Sequence, residues 1–419
     1  MDEAIRVAII GMGGFAGSHH HAVHKLENEG RCKLVCTCDP NPSAFAALAD
    51  ELSFSSRGVA VHTDYRQMLD QASGGLDLVT VPTPVPLHAE MRAAGVERGL
   101  AVYLEKPPTL DYRELEAMIE TEQTATKLTN VGFNLIVEPE LQALKARLLA
   151  REFGTVRRVC FSGLTPRAVS YFRRASWAAR LTLDGRLVLD SCMGNARAHH
   201  VHSSLFLAGT GEVFSWGEAQ TVEAELYRAH AIESMDTVFA KATTSEGVEL
   251  RLAISHACAP EHNLHQWVVC DKAVIHYDAG SGFRVVRGGA VVETGRVTRP
   301  GTIENNLAAY LDYLQGRAVR PMTRLVDARS FVALCDLVFV AAGHIHSVPE
   351  EYITRVHAPD EGGEYVAING LDDAVNRFLA EDLFPSEQGA GWAAAGGRAT
   401  ASQLGDLAAV IARMQTDLA

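Results

Sequence analysis

The chain has 419 residues, with 38 lysines and arginines against 51 aspartates and glutamates, a formal net charge of −13 at neutral pH. That balance, with no basic block interleaved with aromatics, excludes a general nucleic-acid binder, and no apolar run is long enough to cross a bilayer. Met1-Asp2-Glu3 leads straight into an apolar run and the eight cysteines lack CxxC pairs, which predicts a cytoplasmic protein with reduced thiols, no signal peptide and room for two cored domains.

The first element is the apolar run Val7-Ala8-Ile9-Ile10, followed by Gly11-Met12-Gly13-Gly14-Phe15-Ala16-Gly17 and a segment with helical spacing. This reads as strand, tight turn and helix. Gly11 supplies the turn, Gly13 lets the main chain approach a pyrophosphate, and Ala16 is the small residue where helix packs on strand. The helix N-terminus then offers unpaired N–H groups to phosphates. A second apolar run, residues 33–38, ends in Asp39, about twenty residues past the turn, where a carboxylate holds both ribose hydroxyls and repels a 2′-phosphate. The pattern predicts NAD in preference to NADP. The plain alternative is that Asp39 only caps the turn at Pro40.

Next come a turn at His62-Thr63-Asp64-Tyr65, a small helix, and a buried strand over residues 76–81 that ends in Pro82-Thr83-Pro84. His88 opens a helix running through Gly95, and Ala101-Val102-Tyr103-Leu104 forms a strand ending in Glu105-Lys106-Pro107-Pro108. Strands and helices alternating at these lengths predict a doubly wound parallel sheet, with Thr83 and Lys106 at its ligand-binding edge. A lysine held there can hydrogen-bond a substrate hydroxyl or carbonyl.

The glycine turn, Asp39, Thr83-Pro84 with His88, and Glu105-Lys106-Pro107 together resemble the Gfo/Idh/MocA family of nicotinamide-dependent oxidoreductases. Val131-Gly132-Phe133-Asn134 continues the likeness, resembling the family's crossing into a second domain. The resemblance implies that Lys106 lies between nicotinamide and substrate, that Gly11, Gly13, Gly14, Phe15, Ala16, Asp39, Thr83, Pro84, His88, Glu105 and Lys106 hold the cofactor, and that His19 sits near it.

In the second half, residues 141–151 have helical spacing and residues 156–163 read as the first strand of another domain. Tyr171-Phe172-Arg173-Arg174-Ala175-Ser176-Trp177 combines aromatic faces and guanidinium groups, a mixture that suits sugars; Tyr171, Arg174 and Trp177 are candidate substrate contacts. The alternative is a loop whose aromatics plug a core. Asn195, His199 and His202 fall at i, i+4 and i+7 and share one face if the segment is a helix. By resemblance, His199 matches the family's acid/base histidine, and Asn195 stands where the family has an aspartate. An asparagine orients a ligand but cannot stabilise an imidazolium by charge, so Asp190 is the nearby carboxylate to watch.

His20 with His24, and His199 with His202, have spacings that donate two metal ligands, but neither pair has a third donor at a convincing interval, so no metal is expected. Residues 221–227, 237–244, 249–256, 267–271, 273–277 and 283–287 are short β-rich runs separated by turns, and predict one large, open, mostly antiparallel sheet. His256, His262 and His265 lie near a strand end. Helices follow over 307–314 and 328–342, and two more over 371–380 and 401–418 frame a Gly-rich tail.

The sequence therefore predicts an α/β fold: an NAD-binding Rossmann domain over 1–130, a substrate-binding and oligomerisation α+β domain over 131–350, and a helical C-terminal extension over 351–419 packing on the body. The function implied is hydride transfer between NAD and a carbohydrate, polyol or sugar derivative, with Lys106, His199 and Asn195 catalytic, Tyr171, Arg174, Trp177, Asn195, His199 and His202 on the substrate, and a homodimer or homotetramer formed through the second sheet. The alternatives are an NAD-dependent glycosidase or lyase that oxidises its sugar transiently, and a non-catalytic nucleotide-binding regulator.

Overall fold

A computed structural model describes residues 4–72, 74–123, 125–259, 263–358 and 363–417. The chain divides into two units. The first comprises residues 1–109, 113–138 and 299–329, and the second residues 110–112, 139–298 and 330–419. Residues 299–329 thus return to the first unit from inside the span that the sequence assigned to the second. The reason is visible in the packing: Leu307, Tyr310 and Leu311 of the helix Ile303–Leu314 are buried with Val7, Ile9, Val23, Leu26 and Tyr103.

The first unit is built on six parallel strands: β1 (Ile5–Ile10), β2 (Cys32–Cys38), β3 (Ala60–His62), β4 (Leu78–Val81), β5 (Ala101–Leu104) and β6 (Asn130–Val131). Their spatial order is β3-β2-β1-β4-β5-β6, the doubly wound arrangement whose strand order reverses between β1 and β4. All four residues of β4 and of β5 are buried, as expected of parallel strands covered on both faces. Helix α1 (Phe15–Asn28) follows β1 and buries Ala22, Val23 and Leu26.

In the second unit, a ten-stranded sheet runs in the order Ala290–Arg296, Gly282–Arg287, Val274–Asp278, Asn263–Cys270, Val156–Leu164, Glu249–Ser255, Thr237–Thr244, Ala219–Arg228 and His346–Ser347, with Gly397–Thr400 also paired to Ala219–Arg228. Most pairs are antiparallel; Val156–Leu164 and Glu249–Ser255 run parallel, with Leu164 opposite Ser255. One face carries the helix Ala198–Ala208, where Ser203 and Ser204 hydrogen-bond Gln266. Lys145 donates to the carbonyls of Phe206, Gly209 and Ser215, closing that helix's C-terminal end.

The opposite face is covered by the chain's last segment. Phe378 and Trp392 pack on Tyr227 and Phe239, while Arg251 donates to the carbonyls of Phe378 and Leu379. Residues 351–419 are not purely helical, which corrects the sequence reading. They contain the helices Leu371–Glu381 and Leu407–Thr416, but also the hairpin Ile353–Ala358 with Gly363–Ile368 and the strand Gly397–Thr400. Only Val366 and Ile368 of this hairpin are buried among the described residues, two residues apart, a signal too short to stand out from the acidic, Gly-rich composition. Among the described residues, no helix is long and apolar enough to cross a membrane, and all eight cysteines are free and buried.

Candidate functional site

Two sets of residues are assembled, one in each unit. In the first unit, the turn after β1 lies at the point where the strand order reverses. Gly11 has φ +107° and its amide donates to the Cys38 carbonyl. A Cβ at Gly11 would come 3.3 Å from Ala16 Cβ and 3.9 Å from Thr83, so the glycine turn, helix and end of β4 meet there. Gly14, at φ 55° and ψ −127°, occupies backbone space that side chains rarely enter. Packing also demands a glycine at position 13: a Cβ there would run into the Phe45 ring at 2.4 Å.

This turn fits a dinucleotide. No side chain caps α1 and no acidic residue lies in its first turn, so no side chain competes for the N-terminal amides. Asp39 accepts hydrogen bonds from Met12 N at 3.1 Å and Asn41 N at 3.0 Å, which fixes its carboxylate beside the turn. The Thr83 hydroxyl is buried without a hydrogen-bond partner among the described residues, Phe15 stands half exposed at the head of α1, and Pro84 is exposed beside it.

Glu105 is buried, with one carboxylate oxygen 2.9 Å from His19 Nε2 and the other accepting from Lys106 N at 3.0 Å. Gly132 keeps this carboxylate in place, since a Cβ there would lie 2.8 Å from it. His88 is also buried, its ring nitrogens 2.9 Å from the Pro107 carbonyl and 2.8 Å from the Thr83 carbonyl. It braces the ends of β4 and β5 from beneath, and burial pushes its pKa down. His20 faces the Gly11 carbonyl at 3.1 Å, with its pKa drawn down to about 4 by burial. These two struts, His19 and His20, are the residues that motif reading undervalued; the adjacent pair on a helix beside the glycine turn was the available signal. His24 instead meets Asn28, and among the described residues no group of three or more His, Cys, Asp or Glu could hold a metal.

In the second unit, Asn195 and His199 do not share one helix, contrary to the sequence reading. Ser191 caps a wide π-helical turn, Cys192–Ala196, by accepting from Gly194 N, and the chain reaches φ −108° at Arg197 before the helix Ala198–Ala208 starts. Asn195 therefore sits in the turn. Its amide donates to Asp190 at 2.7 Å, so the carboxylate missing from position 195 lies one hydrogen bond away. His199 is half-buried in the first turn of the helix. His202 is fully buried with its ring against Trp216 and Phe331, which makes it a core residue and corrects its assignment to the substrate.

Asp190 also accepts from Ala179 N at 2.6 Å and pairs with Arg174 at 3.4 Å. The Arg174 guanidinium lies over both Tyr171 and Trp177, 4.0 and 4.7 Å from their ring centres, and Arg167 lies 4.6 Å from the Tyr171 ring centre. The three predicted contacts are thus brought together, but the Tyr171 ring is faced by cations and is not an open platform for a sugar. His256, buried behind Tyr171, has Nδ1 2.9 Å from the Thr165 carbonyl, and burial drives its pKa to about 3. His265 is paired with His276 at 2.7 Å, away from this group on its own strand, and His262 lies outside the described residues.

Residues 5–133 match the model of the Gfo/Idh/MocA oxidoreductases, a family described by an NAD-binding Rossmann fold. This portion of the chain is therefore similar to the NAD-binding domain of that family. Scyllo-inositol 2-dehydrogenase (NAD(+)) of Bacillus subtilis is 28% identical over 165 residues, 39% of this chain and 45% of that protein, so the chain's match spans less than half of this curated relative. Among solved structures, the WlbA dehydrogenase from Bordetella pertussis in complex with NADH and UDP-GlcNAcA aligns with TM-score 0.64 at 20% identity, over 80% of this chain and 96% of that one. An oxidoreductase from Agrobacterium radiobacter in complex with NAD+, L-tartaric acid and magnesium aligns with TM-score 0.65 at 18% identity, over 80% and 95%. The likeness of fold therefore extends well beyond residues 5–133.

Proposed function

We propose that this protein is an NAD-dependent oxidoreductase acting on a CH–OH group of a carbohydrate, polyol or sugar derivative. The observation that carries the reading is the assembly at the reversal point of the first sheet: an uncapped helix N-terminus, Asp39 anchored beside it, and Lys106 following a Glu105 carboxylate that His19 and the Lys106 amide hold in place. The names of the relatives, an NAD-linked inositol dehydrogenase and a dehydrogenase crystallised with NADH and a nucleotide sugar, support it.

In this reading the amides of Gly13, Gly14 and Phe15 take the pyrophosphate, Asp39 takes the adenosine ribose, and Thr83 contacts the dinucleotide at the sheet edge. When bound, NAD supplies the hydride acceptor. Lys106 holds and moves the hydroxyl proton of the substrate; Asn195 and His199 bind and orient it, and Asp190 supports Asn195 through their hydrogen bond.

The same reading places the protein in the cytoplasm, in keeping with its free buried thiols. It also assigns self-association to the part of the second sheet that the C-terminal segment leaves uncovered. There Val269 pairs with Val274, Val274 with Val286 and Val286 with the exposed Val291, forming one apolar cross-strand surface. Light scattering on the eluting peak reads the mass directly.

The functional test is absorbance at 340 nm with NAD and pooled sugars, polyols and sugar acids, followed by chromatography of the mixtures. A rise with a matching oxidised product supports a net dehydrogenase. A changed sugar profile without NADH would replace it with chemistry that returns the hydride.

A further inference from the structure

We propose that Arg167 and Arg197 form an anion-binding pocket that takes a carboxylate or phosphoryl group carried by the substrate. This rests on the oxidoreductase reading above and narrows its substrate class to acidic sugars.

The argument begins with where these residues sit. Val156–Leu164 and Glu249–Ser255 are parallel neighbours, and the segments leaving their carboxyl ends stay paired: Thr165 N donates to Ser255 O, and Arg167 N to His256 O. Arg167 and His256 therefore emerge side by side. Arg197 comes from the junction between the Cys192–Ala196 turn and the helix that follows, two residues from both Asn195 and His199. Separate stretches of chain thus deliver the two guanidinium groups toward Tyr171, with the neutral His256 ring packed behind it.

Several half-buried or buried arginines have carboxylate partners, Arg57 with Glu27, Arg92 with Glu122, Arg251 with Glu249 and Arg320 with Asp327, while Arg228 and Arg299 donate to uncharged groups of Ser347, Glu233 and Asn305. Arg174 has Asp190. Arg167 and Arg197 have no acidic partner among the described residues, and the Nε of each is buried without a hydrogen-bond partner. The buried His256 differs: its Nδ1 donates to the Thr165 carbonyl at 2.9 Å, which leaves Nε2 an acceptor and makes the ring a neutral wall beside the two guanidinium groups.

The nearby Asp236 is directed elsewhere: one carboxylate oxygen accepts from the Ala229 and His230 amides and lies 2.7 Å from His230 Nδ1, and the other accepts from the Thr237 hydroxyl, with no ion pair to Arg167 or Arg197 among the described residues. Two desolvated guanidiniums also oppose each other's charge, and burial with the neighbouring Arg167 depresses the pKa of Arg197. An anion seated between them relieves both the repulsion and the unmet donors, and the planar fork of arginine suits carboxylate and phosphate oxygens alike. Stacking on Tyr171 holds Arg167 in place beforehand, which lowers the ordering cost of binding.

The test is calorimetric titration of the NADH-loaded protein with D-glucuronate, D-glucose 6-phosphate and myo-inositol, for the wild type, Arg167→Gln, Arg197→Gln and Arg197→Lys. At least one anionic probe is expected to bind about tenfold or more tighter than myo-inositol. Each Gln variant should lose at least about tenfold of that affinity, and Arg197→Lys should lose less. The Kd for NADH should not change in any variant, and no Gln variant should lower the Tm, since each removes a buried charge that the other guanidinium opposes. Glucuronate preference assigns a carboxylate; glucose 6-phosphate preference assigns a phosphoryl group. The proposal is overturned if myo-inositol binds as tightly as both anions, if the Gln variants keep the preference, or if protein that binds NADH binds neither anion. A wild type that fails to bind NADH refutes the proposed function instead, and the same titrations on that protein still decide the pocket.

Discussion

The turn after β1 and the Asp190–Arg197 cluster are both polar arrangements on the edge of a sheet, yet they are made in opposite ways. The first is made of backbone. Gly11 and Gly14 supply the conformations, the amides of α1 supply the donors, and the one charged group, Asp39, is held by two main-chain N–H groups. The second is made of side chains from residues 167, 171–177, 190–197 and 256, tied by the Asn195–Asp190 hydrogen bond and by guanidinium groups over Tyr171. A backbone site is conserved in shape by the fold itself, whereas a side-chain cluster can be retuned by single substitutions. The contrast fits a fixed cofactor and a variable substrate.

The sharpest way to break this division is at Lys106. Lys106→Ala should lower kcat by about 100-fold to 10,000-fold, the range for removing a positioned acid–base group, while leaving the Kd for NADH within a few-fold. A parallel loss of NADH affinity in steady-state kinetics and fluorescence titration would make Lys106 a cofactor residue only. The next effect is on stability. His20 and His200 have pKa values drawn down to about 4, His20 mainly by burial and His200 by burial and Arg197. The unfolded imidazoles titrate near 6.5, so below that pH the unfolded chain binds more protons and each residue's contribution is lost as pH falls toward 4. That contribution is about 3 kcal/mol apiece at neutral pH. Urea midpoints should fall between pH 7 and pH 4.5, and His200→Gln should flatten the trend. Because His20 braces Gly11 and His200 stacks on Phe161, acid should loosen both units.

How much of this was legible in the sequence follows the same division. The apolar runs that become β1, β2, β4 and β5 were readable because each is short, buried and bounded by turn residues, and the glycine turn and Asp39 lie within one contiguous stretch. The Asn195–His199 face was misread because periodicity cannot show a π-helical turn that shifts the register before a helix begins. His202 was overvalued because spacing does not distinguish a ligand from a core histidine packed on Trp216. Arg167 and His256 went unpaired in the sequence because 89 residues separate them, and only the parallel pairing of Leu164 with Ser255 brings them side by side. The covering of the second sheet by Phe378 and Trp392 was equally invisible, since nothing local says which face a helix will meet.

The most direct test of the account is a fluorescence titration with NADH, with NADPH in parallel, on the wild type and on Asp39→Ala. The account predicts saturable NADH binding by the wild type, a clear preference over NADPH, and a loss of about 30-fold in NADH affinity with most of that preference in the variant. Absence of saturable NADH binding, or an Asp39→Ala variant that binds and discriminates like the wild type, would contradict it.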